Sequence, residues 1–287
     1  MTLILGSRST LTPEQAGWSY AGLRVVELRA GEPTTVRTGG DEVFVVPLSG
    51  SLDVEVSGAH TGSISLEGRA SVFDRVTDTA YVGRDCEIVL LSEEGAEVAL
   101  PSARCETSLP TAYLPASDAT VEVRGSGPAT RQVTSFGVPG VFDGAERLMA
   151  CELLTPPGNW SSYPPHKHDA TSGCANEEIY YYRLGGGPEA FGLHRTYTGS
   201  EHVEAGLARL DETLVVRDGD VVVVPYGYHG PCIAAPGYPM YYLNVLAGPG
   251  PRSMAFCDDP AHTWVRDSWS GTAPDPRCPM TSVAGPA

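Results

Sequence analysis

From Glu177 to Leu184 the chain reads EEIYYYRL, and from Asp220 to His229 it reads DVVVVPYGYH. Both runs are rich in β-branched and aromatic residues and bounded by Gly or Pro, which predicts strands over Glu178–Leu184 and Val221–Val224. Alternate side chains of a strand share a face. Glu178, Tyr180 and Tyr182 therefore point one way, and Ile179, Tyr181 and Arg183 the other. If the first set faces inward, a carboxylate and two phenols enter a cavity.

Working outward, the same grammar recurs. Leu148 to Leu154, Glu212 to Val216 and Tyr241 to Val245 are strand candidates, with a turn at Arg217-Asp218-Gly219-Asp220. In the first half, VFVV (43–46) and LDVEV (52–56) read as two strands joined by a turn at Pro47, Gly50 and Ser51. SISL (63–66), EIVLL (87–91) and TVEV (120–123) continue the meander. Helix is confined to single turns at Pro13–Gly17 and Ala145–Leu148. Residues 101–132 are rich in Pro, Ser, Thr and Gly and read as a surface connection. The expectation is an all-β chain of two β-barrel or jelly-roll units packed together. Its parts are residues 1–110, a connecting segment 111–135, and residues 136–287.

Composition agrees and narrows the function. Gly 33 and Pro 24 make about a fifth of 287 residues, against a usual ~12%. A net charge of −16 and the absence of a basic stretch argue against nucleic acid as a partner. No apolar run approaches the roughly 18 residues of a bilayer span. The N-terminal MTLILGSRSTLTPEQ lacks a basic segment before an apolar core, so no secretory signal is expected. Seven cysteines, without a CxxC pair, read as reduced thiols of a cytoplasmic protein. Lys167 is the only lysine among 19 basic residues.

The chemistry concentrates in the second half. On a strand His166 and His168 face one side and Lys167 the other. Glu178 follows ten residues after His168, and His229 stands after a strand and a Pro-x-Gly turn. Three imidazoles and a carboxylate suit one divalent metal ion, zinc or manganese first and iron or nickel next. The bland alternative for any single histidine is surface exposure, the reading adopted for His194 and His202. Asp169 is a candidate to orient a ligand imidazole.

His166-x-His168, Glu178 with Gly185, then Gly219, Pro225, Gly227 and His229 resemble the two motifs of the cupin superfamily. The gap from His168 to Glu178 is longer than the usual motif and Gly227 to His229 is one residue shorter, which leaves Glu177 as a second ligand candidate. The strings SSYPPHKHD (161–169), EEIYYYR (177–183), PYGYH (225–229), YYLNV (241–245) and DPAHTW (259–264) resemble the 5-deoxy-glucuronate isomerase family of myo-inositol catabolism. That resemblance implies a bicupin. Residues 39–50 look like the Glu segment of a first cupin motif, but no His-x-His precedes it, and Tyr81 stands near where a histidine belongs. The first barrel is therefore expected to be degenerate and structural.

The resemblance also implies an aldose–ketose isomerase that takes 5-deoxy-D-glucuronate to 5-dehydro-2-deoxy-D-gluconate through a metal-assisted enediolate. Glu178, Glu177 and Tyr182 are the candidates to move protons. Lys167, Arg183, Arg195, Tyr180, Tyr228 and Tyr242 are the candidates to hold the small anionic sugar acid, with Arg195 favoured over Arg183 and Arg252 for its carboxylate. A homo-oligomer is an expectation by analogy alone. Two other readings use the same residues: an iron(II) cupin dioxygenase and a non-enzymatic sugar-binding cupin.

Overall fold

Val221 to Val224 are apolar at every position because both faces of their strand are covered. In the computed structural model, which describes residues 3–7 and 10–287, Val222 and Val224 enter one core and Val221 and Val223 another. Their strand, Asp220–Val224, belongs to a seven-stranded sheet. The order is Ile4–Ser7, Asp220–Val224, Glu177–Leu184, Met240–Ala247, Met149–Thr155, Arg131–Gly137 and Thr120–Arg124. A second sheet, built on Asp211–Val216, Gly192–Tyr197 and Tyr228–Ala234, closes over one face. Tyr180, Tyr182, Tyr242, Met240 and Cys232 fill the interior between them.

The first half repeats this plan. Its interior holds Val43, Val45, Val54, Val56, Leu66, Ile88 and Leu90. The third core lies between the halves, where Phe44, Val46, Leu48 and Tyr81 meet Ile179, Tyr181, Tyr241, Leu243 and Val245. The expected all-β, cupin-type barrel pair is what the chain forms. The terminal strand Ile4–Ser7 adds to the second half's sheet beside Asp220–Val224. Within 111–135, Ala112–Leu114 pairs with the first half's Thr79–Val82, while Thr120–Arg124 pairs with Arg131–Gly137.

Two local expectations need correction. Residues 43–56 do not turn back: Asp41–Gly58 is one strand. Register shifts between Pro47 and Ser49, and between Gly50 and Leu52, bend it from one partner set to another. A bulge absorbs the proline and glycine without reversing the chain. Ala145–Leu148 is not a helical turn either, because its amides have another use.

That use is a reciprocal clasp. The buried Glu42 carboxylate accepts the backbone N–H groups of Glu146, Arg147 and Leu148 at 2.8, 2.6 and 2.7 Å. Glu177 accepts those of Ser19, Tyr20 and Ala21 at 2.7, 2.8 and 2.8 Å. The ladders show that the two carboxylates are equivalent. Glu42 pairs with Ala103 as Glu177 pairs with Ala247, and the next residues, Val43 and Glu178, pair with Val82 and Val224. The Arg147 guanidinium lies 5.2 Å from the Tyr20 ring centroid, so the two amide segments also touch each other. A buried ion pair, Arg69 with Glu152, ties the halves a second time, and Tyr241 donates to the same carboxylate at 2.7 Å. Among the described residues no helix is long and apolar enough to cross a membrane.

Stripping a carboxylate leaves its amides without acceptors. Glu42→Ala, at a fully buried position that also accepts from Tyr81, is expected to cost about 3 kcal/mol. Glu177→Ala, half-buried, should cost about 1–2 kcal/mol. Urea unfolding measures both, and losses under ~0.5 kcal/mol in each would remove the clasp as a source of stability.

Candidate metal centre

Glu178 and Tyr180 leave the strand on the face opposite Glu177, toward the second barrel's cavity. There the ligand atoms of His168, Glu178 and His229 all lie within 4.8 Å of one another, and all three residues are buried. Glu178 Oε2 is 3.0 Å from His168 Nε2 and 3.0 Å from His229 Nε2. Its other oxygen accepts from Asn244 Nδ2. His166 stands beside the cluster, its ring centroid 4.4 Å from that of His229.

The tautomers point at the cluster. His168 Nδ1 lies 3.2 Å from the Asn176 carbonyl, and His166 Nδ1 lies 3.4 Å from the Pro164 carbonyl. A carbonyl only accepts, so each Nδ1 carries a hydrogen and each Nε2 is turned toward the cluster, free to hold a metal ion or a proton. A ring nitrogen and a carboxylate oxygen 3.0 Å apart need a cation between them, either a metal ion or a proton on the nitrogen. His229 is fully buried, yet neither ring nitrogen has a hydrogen-bond partner among the described residues. An orphaned imidazole aimed at a shared carboxylate fits a metal ligand. The electrostatics divide the group into an anionic carboxylate, an imidazole that favours its cationic form beside it, and a neutral imidazole. Burial opposes charge on Glu178, but His229 and His168 outweigh it and hold the carboxyl well below its usual range. Burial also pulls His168 down, but Glu178 outweighs it and holds the imidazole above its ordinary value. His166 is driven well down by burial, then by His229 and His168.

A cavity of about 690 Å³ opens on this cluster. Its wall includes His166, His168, Glu178, Tyr180, Ser162 and Asn244, and the exposed Phe256 stands at its edge, 5.0 Å from the His166 ring. Burial and the Glu178 charge push the Tyr180 phenol well above its ordinary range, so it stays protonated. Its hydroxyl is 3.3 Å from Ser162 Oγ.

Several expected site residues lie elsewhere. Glu177 is on the other face, held by the amides of residues 19–21. Arg183 faces the first half and pairs with Glu97 and Asp218. Arg195 pairs with Asp211 at an exposed position. Arg252 donates to the carbonyls of Leu148, Phe142 and Gly137. Lys167 binds Glu201 at 2.6 Å and Thr171 at 2.8 Å, its Nζ 4.9 Å from the Tyr228 ring centroid, and Tyr228 donates to the same Glu201. Tyr182 and Tyr242 lie within the barrel core. Tyr242 is hydrogen-bonded to Ser161 and Ser162, and Tyr182 to His194 at 2.7 Å. Tyr81 points out of the first barrel and donates to Glu42.

His194 and His202 are not on the surface: both are fully buried. His202 Nδ1 accepts from the Gly199 amide, so its Nε2 hydrogen goes to Asp169, 2.9 Å away. Asp169 thus orients no ligand imidazole directly. It accepts from the Gly227 amide at 2.7 Å and pins the turn before His229 to the His166–His168 segment. Gly227 has φ +93°, and a Cβ there would sit 2.6 Å from the Tyr197 carbonyl oxygen, so the turn needs glycine. Sequence alternation could not find these partners, because each comes from a distant segment.

A paired β-barrel with one His/His/Glu cluster in its second half defines the cupin class. The chain belongs to the KduI/IolB family, whose profile matches residues 6–265. It is 37% identical over 267 residues to the 5-deoxy-glucuronate isomerase of Geobacillus kaustophilus, covering 92% of each chain. It is 35% identical over 260 residues to that of Bacillus subtilis strain 168, covering 89% of this chain and 91% of that one. The crystal structure of an IolB-like protein from Salmonella typhimurium LT2 superposes with a TM-score of 0.83 at 31% identity, covering 93% of this chain and all of that one. The oxalate decarboxylase of Lactobacillus farciminis shares the fold alone, with a TM-score of 0.63 at 12% identity over 88% of each chain.

His194 provides a pH test. Burial, then His229, drops its pKa from an ordinary value near ~6.5 to about 3. A depressed pKa stabilises the fold fully above pH ~6.5, and that stability is lost as pH falls toward 3. His194→Gln should remove up to about 1.4 kcal/mol per pH unit of this slope. Urea unfolding between pH 7 and pH 4 tests it: identical slopes in both proteins would contradict a neutral buried imidazole.

Proposed function

We propose that this chain isomerises 5-deoxy-D-glucuronate to 5-dehydro-2-deoxy-D-gluconate, with His166, His168, Glu178 and His229 as the residues that hold a divalent metal ion. The observation that carries the metal part is the orphaned His229 imidazole facing a carboxylate already shared with His168. Zinc or manganese suits this donor set first, and iron(II) or nickel next. Bound there, the ion supplies Lewis acidity to the substrate's carbonyl and neighbouring hydroxyl oxygens.

The rest of the chemistry falls to the chain. Aldose–ketose isomerisation moves one hydrogen from carbon 2 to carbon 1 and relocates a proton between the two oxygens. Glu178 is poorly placed as a free base, since Asn244 occupies one oxygen and two imidazoles face the other. Glu177 is excluded by its orientation, and Tyr182 by its bond to His194. Tyr180 is the phenol on the cavity wall. Kept neutral by burial and by Glu178, its hydroxyl can give its proton to the substrate's carbonyl oxygen while taking the one that leaves the neighbouring hydroxyl, so the phenol ends neutral as it began, with Ser162 orienting it. Asn244 fixes the rotamer of Glu178 and its oxygens.

Proton NMR of 5-deoxy-glucuronate in deuterated water tests the reaction. The keto acid is expected to appear, to vanish with chelator, and to persist without oxygen, the last of which separates isomerisation from an iron dioxygenase. His229→Ala should lose bound metal and turnover together; turnover without metal would overturn the assignment. Asn244→Ala should weaken metal affinity about 10–100-fold, read by competition with a chelating dye.

A further inference from the structure

Arginines near the cavity divide by partner. Arg124 is paired with Glu122, and Arg266 with Asp258. Arg69, buried between the halves, faces Glu152. Arg131 is only 9% exposed and makes no ion pair among the described residues. Its one hydrogen bond runs from Nη1 to the Ala129 carbonyl at 3.2 Å, and its Nε is buried without a partner. A guanidinium carries five N–H donors in a planar fork, so most of this fork is unused. Burying an unpaired cation costs free energy, and chains retain one where an anion completes it.

Its surroundings are built for that group. Arg131, Val133 and Ser135 alternate onto one face of their strand and line the same cavity as Glu178 and Tyr180. Gly125 backs the guanidinium: a Cβ there would lie 2.9 Å from Nη1, and the backbone has φ +83°. Burial pulls the Arg131 pKa down to about 10, which leaves it charged at neutral pH.

We propose that Arg131 receives the substrate's carboxylate in a bidentate pair, which makes it the residue that selects an acid over a neutral sugar. The inference rests on the isomerase reading, which supplies a substrate with a carboxylate at the far end of a six-carbon chain from its aldehyde. A guanidinium fork matches a carboxylate, and the pair strengthens in a site shielded from water.

The test compares 5-deoxy-glucuronate with 5-deoxy-glucose, which carries a hydroxymethyl in place of the carboxylate. Arg131→Gln is expected to raise KM for the acid about 100-fold, with kcat changed far less. Turnover of 5-deoxy-glucose should hardly move, and guanidinium ion should partly rescue Arg131→Ala. Removing an unpaired buried charge should also keep or raise the thermal midpoint, whereas a merely structural arginine would lower it. Equal losses on both substrates, or a lowered midpoint with KM unchanged, would overturn the proposal. If the wild type turns over neither sugar, calorimetry with D-glucuronate and D-glucose separates the two ideas. Binding of the acid that depends on Arg131 keeps the anion site while the isomerase reading falls. Acid binding absent, or equal in wild type and Arg131→Gln, removes the anion site.

Discussion

Glu177 and Glu178 are adjacent in the chain and opposite in space, and the pleat of one strand imposes that separation. Glu177 leaves toward the first half and gathers three amides there. Glu178 leaves toward the second barrel and meets two imidazoles. A one-residue slip in the pairing with Met240–Ala247 would exchange them. It would place a clasping carboxylate between His168 and His229 and put Ile179 and Tyr181 in the cavity. Docking of the halves and assembly of the site are therefore set by one register, and neither can shift without the other.

The same logic explains why two similar barrels differ in chemistry. The strand Asp41–Gly58 stands where Glu177–Leu184 stands, and it keeps the clasping carboxylate as Glu42. At the next position it carries Val43 where the second half carries Glu178. The first interior is then closed with aliphatic side chains packed on one another. Its contribution is a covering face: Phe44, Val46 and Leu48 bury the outer side of the second half's central strands. That is why Ile179, Tyr181 and the odd valines of 221–224 are apolar although they point away from the cavity.

Period-two alternation made much of this legible in the sequence. It put Glu178, Tyr180 and Tyr182 on one face and gave Tyr181 an apolar partner sheet, while Glu177 and Arg183 stayed on as site candidates that only the clasp and the Glu97 and Asp218 pairs remove. His168, Glu178 and His229, which the fold gathers, and His166, which stands beside them, could be picked from the sequence together because their residue types and spacing are those of a metal-binding motif. Tertiary partners were not readable. His194 and His202 are ordinary isolated histidines in the sequence, and only the approach of Tyr182 and of Asp169 makes them buried members of hydrogen-bond networks. Pro47 and Gly50 carry turn chemistry, yet the sheet uses them to bend a strand. Arg131 sits in a stretch whose Pro, Ser and Gly content reads as a loop. Nothing local marks it as the cavity-lining arginine that lacks a carboxylate partner among the described residues, since that property is the absence of a neighbour.

That absence matters in a chain of net charge −16. Surface charge is screened over about 8–10 Å at ordinary ionic strength, so the acidic exterior does not fix the potential inside a walled cavity. Inside, the nearest fixed charges decide. Most arginines near carboxylates are neutralised in pairs, Arg183 by Glu97 and Asp218 and Arg266 by Asp258 among them. Glu178 adds a negative charge that the imidazoles offset. The unpaired guanidinium of Arg131 is then the group that can make one part of the cavity attractive to an anion. An acidic protein can receive an acidic sugar because the cation that matters is shielded from its surface and has no internal partner competing for it.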